Sequence, residues 1–467
     1  MRNILVVAIC TVSLFLSSCQ DWIDVNPKTD IEAEKFFTSE DGFKSALTGL
    51  YSMMTLEKSY GRQMTFDFVE KLVQRYDNYA PGAVTDEERA AIYKYGETTS
   101  SKNAIADIWL KLYNEIANIN NFLQYLETNG DVILTEGYRD LMKGEALGLR
   151  AFHYFDILRL WGPIYSLDST KLCVPYRDKF DSESAPMMAA NEVVKRIVAD
   201  LQAAEELLKN DPMNYEHVAE EPFVGQRKHR MNKFAVKAML ARVYLYRGNK
   251  ELAAQYAREV IEKSGLELVR NNQQDVSLYG ETVFGLAMYD MEEKLKNYWV
   301  NGSSYDVQYY ITGNNASGLF EINEGIGLND MRYRSGYGFN HTASNLLMCR
   351  KYLGEGLYGE KIPLIRLAEM YYILAESVAL SECGQYINTV RTTRGISRSN
   401  NLGTDVTEEQ RLEVLDKEYR KEFFAEGQYF YFLKRHNRST FYRCPVENFS
   451  AYVLPVPDDE KTYGEAE

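Results

Sequence analysis

The sequence predicts an all-α protein of stacked helical hairpins interrupted by one long irregular insertion. Three observations predict this class. Residues 231–265 read as a complete hairpin, apolar residues keep a helical period over much of the remaining chain, and that period vanishes between Leu266 and Leu357. In the hairpin, Leu240, Ala241, Tyr244, Gly248, Ala253, Ala257 and Val260 alternate large and small side chains at helical spacing, with Arg247-Gly248-Asn249-Lys250 as the turn. Alanines at 235, 238, 241, 253 and 257 remove bulk where helix axes must approach within roughly 8–10 Å. Such a unit cannot bury both apolar faces alone and must stack, and its offsets resemble those of the 34-residue tetratricopeptide pattern.

The chain begins with a segment that is processed rather than folded. Arg2 precedes an apolar run from Ile4 to Leu16, and the run ends in Leu16-Ser17-Ser18-Cys19. It is too short to span a bilayer permanently and reads as a secretory leader over residues 1–18, with Cys19 as the lipid-bearing first residue of a single mature domain, 19–467. Asp24-Val25-Asn26-Pro27-Lys28-Thr29 is an extended lead-in, and Ser39 ahead of Glu40 and Asp41 is an N-cap. Ile108, Leu112, Ile116, Ile119 and Leu123 keep a helical period from Ile105 to Glu127. The next helix, Lys143 to Trp161, is apolar nearly all round and therefore buried between neighbours; Gly162-Pro163 stops it.

Asn191 to Asn210 is amphipathic and helical, and Glu216 to Arg230 is a polar loop before the hairpin. The insertion, about 266–357, interleaves Tyr279, Tyr289, Tyr298, Trp299, Tyr305, Tyr309 and Tyr310 with Asn and Asp; irregular stretches of this length in compact proteins usually exist for function. Helical spacing resumes at Pro363, a second helix near Gln385 to Thr393 completes another hairpin, and Glu408 to Arg435 reads as a last long helical segment. Tyr452 to Pro457 is extended.

Composition excludes several functions. A formal charge of -14 without a basic stripe argues against nucleic acid. Thirty-five Tyr against four Trp suits a binding surface, because the ring offers a flat apolar face and a hydroxyl at low entropic cost. The five histidines, at 153, 217, 229, 341 and 436, contain no pair at metalloprotease spacing, and no nucleophile elbow or phosphate loop is present. His153 reads as a packed, hydrogen-bonded core residue. Cys173, Cys349, Cys383 and Cys444 lack the close pairs of a zinc site, and their pairing stays open. Glu321, Asn323, Glu324, Asn329 and Asp330 offer oxygens to calcium but in no known ligand order, so neither metal nor cofactor is expected. Glu422 and Glu426, one turn apart with Lys421, Lys434 and Arg435 near, read as structural ion pairs rather than as the two carboxylates of a glycosidase.

Several motifs in order then resemble the SusD/RagB family of nutrient-binding outer-membrane lipoproteins. They are Cys19 to Thr29, Gly144 to Pro163, Lys233 to Gly248, Pro363 to Glu376, Arg391 to Gly395, Glu418 to Arg435 and Pro455-Val456-Pro457, and together they cover nearly the whole mature chain. The departure is Glu426-Gly427-Gln428-Tyr429-Phe430-Tyr431-Phe432, where the family often carries Glu-Gly-x-Arg-x-x-Asp. The resemblance implies about four tetratricopeptide-like hairpins forming a right-handed scaffold. It also implies a non-enzymatic, cell-surface protein that hands an oligosaccharide to a SusC-like TonB-dependent transporter. A peptide-capturing member of the family is the alternative, with a helical glycoside hydrolase behind it. By analogy with glycan-binding relatives, the ligand site would draw on Arg75, Tyr76, Asp77 and Asn78 from the early loop and on Tyr279, Tyr289, Trp299 and Tyr305 from the insertion. On that expectation Trp299→Ala removes glycan binding and leaves folding intact.

Overall fold

The computed structural model describes residues 36–77, 91–213, 221–299 and 309–463. The leader, Cys19, Asn78 and Tyr305 lie outside the described residues. Within them the principal helices are α1 (Glu40–Met54), α2 (Thr99–Asn129), α3 (Tyr138–Trp161), α4 (Ala190–Leu207), α5 (Lys233–Tyr246), α6 (Lys250–Lys263), α7 (Met291–Trp299), α8 (Leu367–Ser377), α9 (Leu380–Thr393), α10 (Glu408–Glu422) and α11 (Gln428–Arg435). Four consecutive pairs pack together, α2 with α3, α5 with α6, α8 with α9 and α10 with α11, while α4 lies against both α3 and α5. One apolar cluster runs from Phe37 to Leu454 and unites them.

The local chemistry explains the hairpins. Ser39 accepts from the Gly42 amide and starts α1. Asn232 caps α5 by accepting from the amides of Phe234 and Ala235 at 2.9 and 3.0 Å, and Asn249 caps α6 through Leu252 at 3.1 Å. Between them Gly248 takes φ +84°, a left-handed turn that glycine adopts at little cost. The five alanines are all buried, as close helix packing requires. In α3 every residue from Gly144 to Trp161 is buried, and a Cβ at Gly144 would stand 2.6 Å from the Leu208 side chain. Its polar residues each find a partner: Arg150 holds Asp200 through two 2.7 Å bonds, Tyr60 donates to Asp156 at 2.8 Å, and Glu145 accepts from Tyr51 at 2.6 Å. His153 is indeed a core residue, with Nδ1 2.6 Å from the Leu149 carbonyl and Nε2 2.9 Å from Glu115.

Beyond smaller shifts, such as helix α7 inside the insertion and the starts of α3 and α9 at Tyr138 and Leu380, two boundaries differ substantially from the sequence reading. Pro363 does not begin a helix, because residues Lys361–Arg366 form strand β7, antiparallel to β3 (Thr282–Ala287), and α8 starts only at Leu367. A short buried apolar run does not distinguish strand from helix, and Pro363 sits opposite Gly285 beside a register irregularity, where a missing ladder donor is tolerated. The segment from Glu408 to Arg435 is likewise two helices. Ala425 and Gly427 take φ +63° and +72°, and the buried Glu70 carboxylate accepts from both amides, at 3.1 and 2.8 Å.

The remaining strands are short: β1 (Leu172–Pro175) pairs with β2 (Met187–Ala189), and β4 (Ile311–Thr312) and β5 (Phe339–His341) flank β6 (Leu346–Cys349). The insertion is fastened to the scaffold by buried ion pairs. Arg366 bonds Glu281 at 2.7 Å and Glu422 at 2.6 Å, Arg394 bonds the same two acids at 2.7 and 2.6 Å, and Arg332 bonds Asp330, Glu418 and Glu422. Burial alone would raise the Glu422 carboxyl, but three guanidinium groups outweigh it and hold it well below the usual range. Glu422 and Glu426 are thus structural, although with partners other than those expected by sequence proximity: Lys434 donates to the carbonyls of Leu160 and Gly162, and Arg435 pairs with Glu376.

Candidate functional site

The segment that ends at Asp77 and the segment that restarts at Tyr309 meet at one place. The Asp77 amide donates to the Tyr310 carbonyl at 2.9 Å, and the Tyr309 amide donates to the carbonyl of Tyr298, one residue before the end of α7, at 2.9 Å. Asp77 then uses both carboxylate oxygens. Oδ2 accepts from the Thr312 amide at 2.5 Å and its hydroxyl at 2.7 Å, while Oδ1 accepts from Asn315 at 2.7 Å and from Arg443. Tyr442 donates to the Asn315 carbonyl at 2.8 Å with the Arg420 guanidinium 4.7 Å from its ring. The product is a half-buried ledge of Tyr310, Asn315, Tyr442 and Arg443 beside the exposed Asn314. The half-exposed aromatic faces of Tyr310 and Tyr442 beside Asn314 can cover sugar C–H surface, while Asn315 and Arg443 are held by Asp77 and fix the shape of the ledge.

Beneath the ledge lies an aromatic core. Tyr76 stacks on Tyr309 with ring centroids 4.6 Å apart and donates to the Phe66 carbonyl at 2.7 Å. Trp299, 1% exposed, stands edge-on to Phe66 at 5.2 Å and to Tyr76 at 5.9 Å. Arg75 is buried with Nε 3.2 Å from Glu70 and its guanidinium 4.5 Å from the Tyr429 ring; burial pulls its pKa down, the Glu70 charge opposing.

Of the eight expected ligand residues, the structure therefore brings Tyr76, Asp77 and Trp299 together, two of them inside the protein. Truncating Trp299 empties a core position, so folding cannot stay unaffected. Tyr279 and Tyr289 stand elsewhere; Tyr289 lies just before the start of α7, whose nine residues span about 14 Å and end at Trp299. Tyr289 is 83% exposed, and Tyr279 is half-buried between the amines of Lys228 and Lys361, 4.3 and 5.4 Å from its ring. Sequence reasoning passed over Asn315, Tyr442 and Arg443; no periodicity marks them, and only the fold brings residue 443 to residue 77.

Two of the five residues weighed for calcium have cationic partners: Glu321 bonds Lys421 at 2.8 Å and Lys417 at 3.2 Å, and Asp330 bonds Arg332 at 2.7 Å. Among the described residues no helix is long and apolar enough to cross a membrane.

A helical-repeat scaffold that displays loop-borne aromatic and polar groups defines a binding protein as a class. Residues 21–245 match a family model described as "Starch-binding associating with outer membrane", and residues 267–465 match that of the SusD family. The chain belongs to the SusD/RagB family. It is 25% identical to a SusD-like protein of Bacteroides ovatus over 281 residues, which span 56% of this chain and 45% of that relative's length. It is 24% identical to SusD-like protein P38 of Formosa agariphila, over 96% of this chain and 94% of the relative. A solved SusD-like carbohydrate binding protein from Bacteroides vulgatus, 18% identical, has the same fold, with a TM-score of 0.68 over 91% of this chain and 96% of that chain.

Proposed function

We propose that the protein captures an oligosaccharide outside the cell and delivers it unaltered to a SusC-like TonB-dependent transporter, held at the outer membrane by lipid on Cys19 after removal of residues 1–18. The observation that carries this reading is the ledge that Asp77 assembles from Tyr310, Asn315, Tyr442 and Arg443. Asn78 follows Asp77 and Tyr305 precedes Tyr309 in the sequence, and the exposed Tyr289 is an outlying contact. Arg75, Tyr76 and Trp299 support the ledge from beneath, and Tyr279 belongs to a neighbouring cleft. The name of the Bacteroides vulgatus protein supports carbohydrate as the ligand class. A binding rather than hydrolytic role is supported by the paired carboxylates Glu422 and Glu426, which are buried under arginine and lysine.

The test is a combined glycan and peptide array on the mature protein, followed by calorimetry of the best oligosaccharide with wild type and Tyr310→Ala. A lost aromatic contact is worth about 0.5–1.5 kcal/mol, so affinity should fall about 2- to 10-fold without loss of cooperative unfolding. Unchanged affinity, a preference for extended peptides, or release of reducing sugar from the bound glycan would each overturn the reading. Purification from solubilised outer membranes should bring down a β-barrel transporter.

A further inference from the structure

A cleft of about 780 Å³ opens between α1, the segment 221–230, the end of β3 and the start of β7. Its volume lies within the range of small-molecule sites. One end is mixed in charge: Lys44 pairs with Glu40 at 3.0 Å and Glu221 at 3.8 Å, with Asp41 nearby. The other end is basic, and its basicity has a sequence origin. Arg227-Lys228-His229-Arg230 is a run of four basic residues in a chain of net charge -14.

The four residues have different tasks. Arg227 turns inward to Glu145 and Asp211. Lys228 passes behind Tyr279 and donates to the Tyr279 carbonyl at 2.8 Å. His229 and Arg230 line the cleft. His229 approaches the Tyr279 hydroxyl at 3.2 Å, and burial together with Lys361, Lys228 and Arg230 pushes it down to about 3, so it is neutral. Arg230 lies 5.0 Å from the rings of both Tyr51 and Phe223 and bonds Thr48 at 3.0 Å through Nη2. Its Nη1 is buried without a hydrogen-bond acceptor, the nearest carboxylate being Glu145 at 3.7 Å, which Arg227 and Tyr51 already engage.

Lys361 completes this end. It is half-buried with no carboxylate within ion-pair distance among the described residues, and its amine lies 5.4 Å from the Tyr279 ring. Burial depresses its pKa, and the adjacent Glu360 does not restore it; Glu360 itself accepts from the Asp290 amide at 2.6 Å. A cation–π contact returns about 1 kcal/mol, which does not account for holding the partly desolvated Lys361 amine without a carboxylate on a concave surface that Arg230 also lines. An incoming anion would satisfy Lys361, and the Arg230 guanidinium lining the same cleft adds positive charge.

We propose that the basic end of this cleft, between Lys361 and Arg230, binds an oxyanion carried by a saccharide-sized ligand. The oxyanion is the carboxylate of an acidic sugar or a sulfate ester, and the site is separate from the Asp77 ledge. The probes are tri-galacturonic acid, a sulfated disaccharide, maltotriose and inorganic sulfate, each titrated calorimetrically into the mature wild-type protein, Lys361→Gln and Arg230→Lys. At least one of the two charged saccharides should bind wild type and lose tenfold or more affinity in Lys361→Gln, and its binding should weaken as salt rises. The responding probe identifies which oxyanion the site takes. Arg230→Lys, which keeps the charge but not the fork, should lose less than Lys361→Gln. Failure of both charged saccharides to bind, binding that ignores Lys361→Gln, or inorganic sulfate binding as tightly as the saccharides would overturn the proposal. Equal binding of maltotriose to wild type and Lys361→Gln keeps the result independent of the ledge, and cooperative thermal unfolding of each variant excludes misfolding.

Discussion

At the scale of single residues, burial separates the groups that hold the protein together from those that can meet a ligand. Trp299 and Tyr310 both lie near Asp77, yet Trp299 is enclosed by Phe66, Tyr76 and Tyr352 whereas Tyr310 is half-exposed. Trp299→Ala should therefore lower unfolding free energy by about 3–5 kcal/mol in urea titrations, and Tyr310→Ala by less than about 1 kcal/mol. Arg366 presents the electrostatic counterpart. Its removal leaves Glu281, Glu422 and Glu426 short of positive charge in the interior, and Arg366→Met should destabilise by about 3–5 kcal/mol by the same measurement. The network also sets an acid limit. Burial would raise Glu418, but Arg332, Lys421 and Arg391 bring it down to about 2 from an ordinary value of 4.5. A carboxyl depressed in the folded state contributes stability above its unfolded pKa and loses it as pH falls through the folded pKa. Glu418 and Glu422 should therefore cost the protein stability between about pH 4.5 and 2, on the order of 3 kcal/mol from Glu418. Glu70 and Asp416, which burial raises, act in the opposite direction. Chemical denaturation across that range should show a net fall, flattened in Arg332→Gln.

At the scale of elements, the two misread boundaries share one physical cause. Helical spacing is a local signal, whereas the end of α10 and the pairing of β7 depend on residues distant in sequence. Gly427 fell inside the stretch read as one helical segment, but its amide partner is the distant Glu70 carboxylate, and a Cβ there would lie 2.4 Å from the Met64 carbonyl. Gly427→Ala should thus combine a left-handed backbone penalty with a clash against main chain, and lower stability by about 2–3 kcal/mol. A thermal midpoint unchanged from wild type would show that the α10–α11 corner yields. The hairpin α5–α6 is the opposite case. Its caps, turn glycine and alanine faces all lie within 35 residues, so the signals that shape the hairpin itself are local, although its outer faces pack on distant helices.

At the scale of the molecule, the scaffold was legible and the site was not, because helix packing repeats while the ledge is assembled once from distant segments. Asp77 was recognised within the early loop, but its partners Thr312, Asn315 and Arg443 follow 235, 238 and 366 positions later. Membrane attachment also concerns the whole chain. Its charge of -14 gives no electrostatic attraction to anionic lipid, and none of its described helices can span a bilayer. On the proposed lipid anchor, durable attachment would rest on several acyl chains, since each buried methylene contributes about 0.8 kcal/mol and a single chain holds only marginally. If Cys19 bears several chains, the wild-type protein should stay with the membrane through washes in high salt and leave only in detergent. Cys19→Ala should appear in the soluble fraction with its fold intact. Immunoblots of both fractions, with metabolic labelling by a fatty acid, check this. Membrane retention of an unlabelled Cys19→Ala protein would shift the attachment from lipid to a protein partner.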